Sequence, residues 1–296
     1  MSAVTPDTTL LCFGYGYSAA ALARRLRARG WRVIGTTRSS EKAAAMREEG
    51  VEALALGSEA LDKALGEAQH WLASAGPSAA GDPVLAAHND ALAQAASSVA
   101  WVGYLSTTGV YGDHQGAWID ETAARTPASD RGRWRVAAED GWLVLHREHG
   151  LPVHVFRLAG IYGPGRGPFA KVRSGTARRI IKEDQVFSRI HVEDIATVLE
   201  ASMARPNPGA AYNVCDNEPA PPEDVIAHAA DLLGLPVPPA IPFEEAEMTP
   251  MARSFYGESK RTSNRRMREE LGVQLAYPTY RVGLAALLAE EQETEG

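Results

Sequence analysis

Cysteine is almost missing from this chain of 296 residues, with Cys12 and Cys215 its only two. They lie far apart and without metal-ligand spacing, so they build neither a disulfide framework nor a zinc site, and both read as small buried hydrophobes. Long apolar runs are also missing; no stretch approaches the ~18 consecutive apolar residues of a membrane span. Positive charge is not in excess, because 30 Lys and Arg face 37 Asp and Glu for a net charge of −7. That balance excludes a global electrostatic pull toward nucleic acid or an anionic membrane. The opening Met1-Ser2-Ala3-Val4-Thr5-Pro6-Asp7 has neither the basic region nor the apolar run of a secretory signal, so a cytoplasmic location is the default expectation. No internal repeat or low-complexity segment is present.

What remains has ordinary globular composition, 45% hydrophobic and 23% charged, in a chain long enough for one large domain or a domain with an appended lobe. Short apolar runs alternate with helix-like segments up to about Phe156. The runs are Leu10-Leu11-Cys12-Phe13, Trp31-Arg32-Val33-Ile34, Val51-Glu52-Ala53-Leu54-Ala55-Leu56, His70-Trp71-Leu72-Ala73, Val99-Ala100-Trp101-Val102-Gly103-Tyr104-Leu105 and Pro152-Val153-His154-Val155-Phe156. Residues 19–29 and 83–98 are typical of the segments between. Strands joined by helical crossovers predict an α/β fold, a doubly wound, Rossmann-type parallel sheet covered on both faces.

After Gly160 the texture changes to turns, with Gly163-Pro164-Gly165-Arg166-Gly167-Pro168 and a later cluster of prolines. Helices are expected over 192–203 and 223–233. The division that follows is residues 1–160 as a dinucleotide-binding Rossmann domain, and 161–296 as a smaller C-terminal substrate lobe interleaved with late elements of the main sheet. The last residues, 290–296, read as a solvated acidic tail.

Gly14-Tyr15-Gly16-Tyr17-Ser18-Ala19 has the form G-x-G-x-x-A between the first strand and the first helix. Gly14 permits a tight turn, Gly16 lets the backbone approach a pyrophosphate, and Ala19 lets the helix pack closely on the strand. The diphosphate would rest on free N–H groups at the helix N-terminus. The second strand ends without the acidic residue that binds a ribose 2′-hydroxyl; it ends in Thr37-Arg38-Ser39. A guanidinium flanked by hydroxyls suits a 2′-phosphate, so NADP(H) is expected in preference to NAD(H). The expected cofactor set is Gly14, Tyr15, Gly16, Tyr17, Ser18, Thr37, Arg38 and Ser39, with Ser74 and Ala75 at the end of the fourth run; no metal is expected.

Ser106-Thr107-Thr108-Gly109-Val110-Tyr111-Gly112, Arg157-Leu158-Ala159-Gly160-Ile161-Tyr162-Gly163-Pro164-Gly165, Arg189-Ile190-His191-Val192-Glu193-Asp194 and Tyr212-Asn213-Val214-Cys215-Asp216 follow in order. Together with the glycine loop they resemble the extended short-chain dehydrogenase/reductases, the NAD-dependent epimerase/dehydratase group, from Leu10 to roughly Leu284. The resemblance implies a Ser/Thr on the fifth strand, here Thr107, and a Tyr-x-x-x-Lys pair on the next helix. Arg131 stands in the Tyr position and Arg135 in the Lys position of Pro127-Ala128-Ser129-Asp130-Arg131-Gly132-Arg133-Trp134-Arg135. A guanidinium exchanges no proton near neutrality, although Arg135 can serve as a fixed cation.

Three readings of this helix stay open. Its arginines bind an anionic substrate or the cofactor while Tyr111, Tyr162 or His191 handles protons; or the chain binds NADP(H) without turnover, as a redox sensor or scaffold; or the arginines face solvent. The i, i+4 spacing puts Arg131 and Arg135 on one face, and the resemblance implies that this face lines the cofactor, which ranks solvent exposure last. The candidate catalytic residues are thus Thr107, Tyr111, Arg131 and Arg135, for an oxidoreductase or epimerase/dehydratase-like enzyme acting on a small polar or anionic molecule. The resemblance also implies a homodimer through the arginine helix and its predecessor, with Trp134 and Trp142 suggestive there. Asp120-Glu121 and Glu139-Asp140 read as surface charge, and the basic stretch 258–268 as a helical surface pairing with Glu269 and Glu270.

Overall fold

The computed structural model describes residues 8–295. The opening segment assessed for a secretory signal, Met1 to Asp7, lies outside them. The chain begins β1 (Thr9–Phe13), α1 (Tyr17–Arg27), β2 (Arg32–Thr36), α2 (Ser40–Glu48), β3 (Glu52–Leu54), α3 (Glu59–Glu67), β4 (His70–Ala73) and α4 (Pro83–Gln94). It continues through β5 (Trp101–Thr107), β6 (Trp118–Ile119), α5 (Asp130–His149), β7 (Val153–Leu158), β8 (Gly160–Tyr162) and α6 (Phe169–Arg173). Next come β9 (Arg179–Ile181), β10 (Arg189–His191), α7 (Val192–Ala204), β11 (Ala211–Val214) and α8 (Pro222–Leu232). The last elements are β12 (Ala240–Pro242), α9 (Pro250–Phe255), β13 (Arg261–Thr262), α10 (Arg265–Leu271) and α11 (Tyr280–Glu295).

Seven strands form one parallel sheet in the order β11-β7-β5-β4-β1-β2-β3, the expected doubly wound arrangement. Burial follows the pleat: Leu10 and Cys12 face one apolar layer with Leu22 and Leu26 of α1, while Leu11 and Phe13 face the other with Trp71, Tyr104 and Trp142. Both cysteines are fully buried, as apolar neighbours demand. Local chemistry sets the helix starts. Ser39, Ser58, Asp82 and Ser129 each accept a backbone N–H from the first turn of the helix they precede, and Pro83 occupies a position where no donor is lost.

The segment after Gly160 supplies β11 to the main sheet and α7 to the face already covered by α1. Its remaining helices α6, α8 and α11 close a separate apolar cluster around Phe169, Ala229 and Leu284. Two expectations are revised here. Residues 290–295 continue α11, with 290, 292 and 293 exposed as a solvated acidic segment would be, while Arg173 pairs with Glu291 at 2.6 Å. Trp142 is fully buried in the chain's own core, with its indole N–H 3.3 Å from Asp82 Oδ2, so it presents nothing to a second copy. The pairing expected on the basic stretch holds on α10, where Arg266 lies 2.9 Å from Glu270 and Arg265 3.7 Å from Glu269.

Candidate functional site

The sheet order reverses between β1 and β4, and the crevice above their C-terminal ends is where an open α/β sheet offers a ligand its binding site. Gly14 leaves β1 at φ +86°, and a Cβ there would fall 2.9 Å from the backbone nitrogen of Ala75. The loop is tied down from both sides. Thr36 Oγ1 accepts the Gly14 N–H at 2.8 Å and the Thr36 carbonyl accepts that of Tyr15 at 3.0 Å. Ser74 and Ala75 both donate their N–H groups to Phe13 O at 2.9 Å, and the Ser74 hydroxyl donates to Gly14 O. Ser74 and Ala75 therefore shape the loop from beneath. Thr36 was not among the expected site residues; a hydroxyl residue closing the second strand was its only trace in the sequence.

Gly16 precedes α1 as its N-cap, and apart from its chain neighbours no atom among the described residues lies within 4 Å of where a Cβ would stand. The first turn of α1 carries no acidic residue, so its N–H groups and dipole favour an anion. Tyr15 turns inward, 5% exposed. Ser18 is buried too, whereas Tyr17 stays half-exposed and donates its hydroxyl to Pro164 O at 2.9 Å. Across the crevice the end of β2 presents Arg38, exposed and without a hydrogen bond or ion pair among the described residues. Thr37 Oγ1 accepts the Ser39 N–H at 3.2 Å, and Ser39 caps α2 by accepting from Lys42 N at 3.1 Å.

On the β5 side the arginine helix splits into two environments. Arg135 Nη1 donates to Leu105 O at 2.7 Å and to the Tyr104 hydroxyl at 3.3 Å, and its Nη2 lies 3.6 Å from the Cβ position of Gly76. It is a guanidinium anchored near the C-terminal end of the central strand β5, beside the segment that follows β4. Arg131 is exposed, with no hydrogen bond or ion pair among the described residues. Arg133 pairs with Asp130. Thr107, half-buried at the end of β5, accepts the Gly109 N–H at 3.2 Å.

Tyr111 does not join this set. It is fully buried, accepts from Arg157 Nη1 at 2.8 Å and donates to Asn213 Oδ1 at 2.7 Å. Burial pushes its hydroxyl up to about 12, and both hydrogen-bonding positions of the hydroxyl are occupied inside the protein. His191, 1% exposed, caps α7 by accepting from Glu193 N at 3.3 Å, and burial pushes it down to about 4. Tyr162 is buried against α11, where any Cβ on Gly283 would overlap its ring.

Behind the crevice lies a charge cluster that the sequence reading placed on the surface. Glu139 is fully buried; it receives Arg157 Nη2 at 2.9 Å, Arg125 Nη1 at 3.0 Å and the Ser106 hydroxyl. Two cations and a hydroxyl replace its lost water, which is what a buried carboxylate requires. Glu121 departs likewise: its carboxylate accepts the Asn213 N–H at 2.7 Å, and burial raises its pKa. Asp120 and Asp140 are exposed as expected. Among the described residues no group of three His, Cys, Asp or Glu is placed to hold a metal ion, and no helix is long and apolar enough to cross a membrane.

Comparison with known proteins gives these features a lineage. The chain is 30% identical to Protein YeeZ of Escherichia coli K12 over 279 residues, covering 90% of this chain and 94% of that one. A conserved protein of unknown function from Silicibacter pomeroyi is 60% identical, and its solved structure superposes with a TM-score of 0.91 over 96% of this chain and 99% of the other. The fold is shared with UDP-glucuronic acid 4-epimerase from Bacillus cereus, solved with UDP-glucuronic acid and NAD, at a TM-score of 0.75, 17% identity and 97% and 100% coverage. The sequence pattern of one family spans residues 14–215, from the glycine loop to the end of β11, and by that match this protein belongs to the NAD dependent epimerase/dehydratase family.

Proposed function

We propose that the crevice binds a pyridine dinucleotide, NADP(H) in preference to NAD(H), and that the chain is an oxidoreductase for a small anionic molecule. The observation that carries this reading is the pairing of Gly16 with Arg38. Open space lies over the Gly16 backbone at an uncapped helix start, and an unpaired guanidinium stands at the end of the adjacent strand. Diphosphate oxygens fit the first, and a 2′-phosphate fits the second.

The bound nucleotide would supply hydride. The chain's own residues hold and orient. Gly14 and Gly16 give the backbone its approach, and Tyr15, Tyr17 and Ser18 complete the loop; Thr37 and Ser39 position Arg38 at the end of β2. Arg135 offers a fixed positive charge beside the nicotinamide end of the crevice, in the role a Lys has in related enzymes. Thr107 offers a hydroxyl to the substrate oxygen. Arg131, standing where a Tyr is expected, cannot exchange a proton near neutrality and instead meets negative charge on the substrate. The buried Tyr111 leaves the proton to Thr107 or to water.

A specific observation also supports a second reading, a cofactor-binding sensor without turnover: none of Arg131, Arg135 and Tyr111 is a usable proton donor. Titration of the protein with NADPH and NADH by calorimetry tests the cofactor preference, with NADPH expected to bind at least tenfold more tightly. Tighter binding of NADH refutes the role of Arg38. Single-turnover oxidation of bound NADPH with aldehydes and 2-oxo acids distinguishes enzyme from sensor.

A further inference from the structure

The turn that follows β8 lies against the start of α1. Gly163 and Arg166 close it with two backbone bonds, Gly163 N to Arg166 O at 3.0 Å and Arg166 N to Gly163 O at 2.9 Å. Gly163 enters it at φ +154°, and a Cβ there would fall 2.5 Å from the Tyr17 hydroxyl and 2.7 Å from Val192 Cγ1. Only glycine lets the turn come this close to α1. Tyr17, the first residue of α1 and the neighbour of Gly16, then ties it down by donating its hydroxyl to Pro164 O at 2.9 Å. A turn from the C-terminal half of the chain is thereby fastened to the glycine loop.

Arg166 rides on this turn. Its guanidinium lies over the Tyr17 ring, 5.8 Å from the centroid. The side chain is exposed and forms no hydrogen bond or ion pair among the described residues, whereas Arg24, on the next turn of α1, pairs with Glu193. A cation over an aromatic face at an exposed site is a weak contact; it orients the guanidinium and leaves its five N–H donors for another partner. The first turn of α1 carries no acidic residue, so an anion is favoured at the helix end on which Tyr17 stands. We propose that Arg166 binds the diphosphate of the nucleotide, reaching it from the C-terminal side while the start of α1 holds it from the sheet. This inference rests on the dinucleotide reading above. A guanidinium edge matches two phosphate oxygens with parallel bonds. The two cations then have different tasks: Arg38 meets a 2′-phosphate that only one nucleotide has, and Arg166 meets the diphosphate that both share. Arg166 therefore raises affinity without choosing between them.

The test is calorimetric titration of the full chain, and of its Arg166→Gln and Arg166→Lys variants, with NADPH, NADH and ADP-ribose. ADP-ribose keeps the diphosphate and lacks both the nicotinamide and the 2′-phosphate. Arg166→Gln should weaken all three by a common factor of about three to thirty, so that the ratio of NADPH to NADH affinity stays as it was. Arg166→Lys keeps the charge without the planar fork and should recover part of the loss. Raising the ionic strength about tenfold should narrow the gap between wild type and Arg166→Gln. The urea midpoint should not move, because the side chain is exposed and unpaired. Unchanged affinities in Arg166→Gln, a loss confined to one nucleotide, a loss that ADP-ribose does not share, or a fallen urea midpoint overturns the assignment. So does a loss seen only with UDP-glucuronic acid in the same titrations, since the guanidinium would then serve the diphosphate of a different nucleotide. Wild-type protein that binds none of the three ligands sinks the dinucleotide reading together with this one, whereas full binding by Arg166→Gln sinks this one alone.

Discussion

Substituting the two loop glycines separately distinguishes a residue the fold needs from one a ligand needs. Gly14→Ala places a Cβ at φ +86°, 2.9 Å from Ala75 N and 3.1 Å from Ala75 Cα. The left-handed backbone alone costs about 1–2 kcal/mol for an L side chain, and overlap with a backbone that cannot rotate away adds about 1–3 kcal/mol. Together they lower stability by roughly 2–5 kcal/mol. Gly16→Ala is different: its φ is −94° and, apart from its chain neighbours, nothing among the described residues lies within 4 Å of the new atom. Its folded state is unstrained, and the reduced freedom of the unfolded chain leaves stability equal or higher by about 0.4–1 kcal/mol. The new methyl nevertheless fills the space over the backbone that a diphosphate must enter, and losing one or two charge-assisted N–H contacts costs about 10- to 100-fold in affinity. Urea unfolding and NADPH calorimetry on both variants decide the matter. Gly14→Ala should lose stability and binding together, and Gly16→Ala binding alone. Full NADPH affinity in Gly16→Ala would refute the assignment of that open space to a diphosphate.

Three further outcomes are expected. Arg38→Ala should lower NADPH affinity about 10- to 100-fold while leaving NADH unchanged; equal loss of both in calorimetry removes the 2′-phosphate role. Glu139→Ala leaves Arg157 buried opposite no anion, so chemical denaturation should show a loss of about 3–5 kcal/mol, and a loss under about 1 kcal/mol would show that the cluster contributes little. Burial keeps the Asp216 carboxyl protonated up to about 7, against 3.8 in the unfolded chain. The folded state holds the extra proton between those values, so this group's stabilisation is complete below about pH 4 and declines as pH rises toward 7. Asp216→Asn should remove the decline and gain on the wild type by up to about 4 kcal/mol above neutrality; parallel stability curves from pH 4 to pH 8 would contradict it.

The elements that a single chain segment decides were legible in the sequence. The run His70 to Ala73 is the strand β4, and the start of α4 at Pro83 follows from an Asp-Pro pair that caps and fixes the first turn. Gly14 at the turn after β1 was likewise readable, because its role depends on its own backbone angle. What escaped depends on partners distant in sequence. Glu139 follows Ala138 on α5 and reads as half of an exposed acidic pair until β7 delivers Arg157 and the segment after β6 delivers Arg125. Tyr111 reads as a proton donor because its neighbours form a recognisable pattern, yet its hydroxyl is claimed by Arg157 and by Asn213 of β11. Trp142 reads as an interface residue only while Asp82, on the preceding crossover, is out of view.

Arg131 and Arg135 show how far a helical spacing can mislead. One turn apart they share a side of α5, about 6 Å from each other along the axis, and that offset decides their environments. Helical side chains lean toward the N-terminus, and Arg131, in the first turn after Ser129, is exposed. Arg135 leans back onto the last residues of β5, where Leu105 O and the Tyr104 hydroxyl hold it. Burial drives the Tyr104 hydroxyl far above its ordinary titration range, and the Arg135 cation beside it only partly opposes this. The pair is thus a fixed charge and not a relay. On the proposed reading this divides the labour: Arg135 is placed before any ligand arrives, while Arg131 gives up its solvent only for an anion. A substrate without negative charge would leave Arg131 hydrated and gain nothing from it, which is the physical reason to expect selectivity for acids over neutral carbonyl compounds.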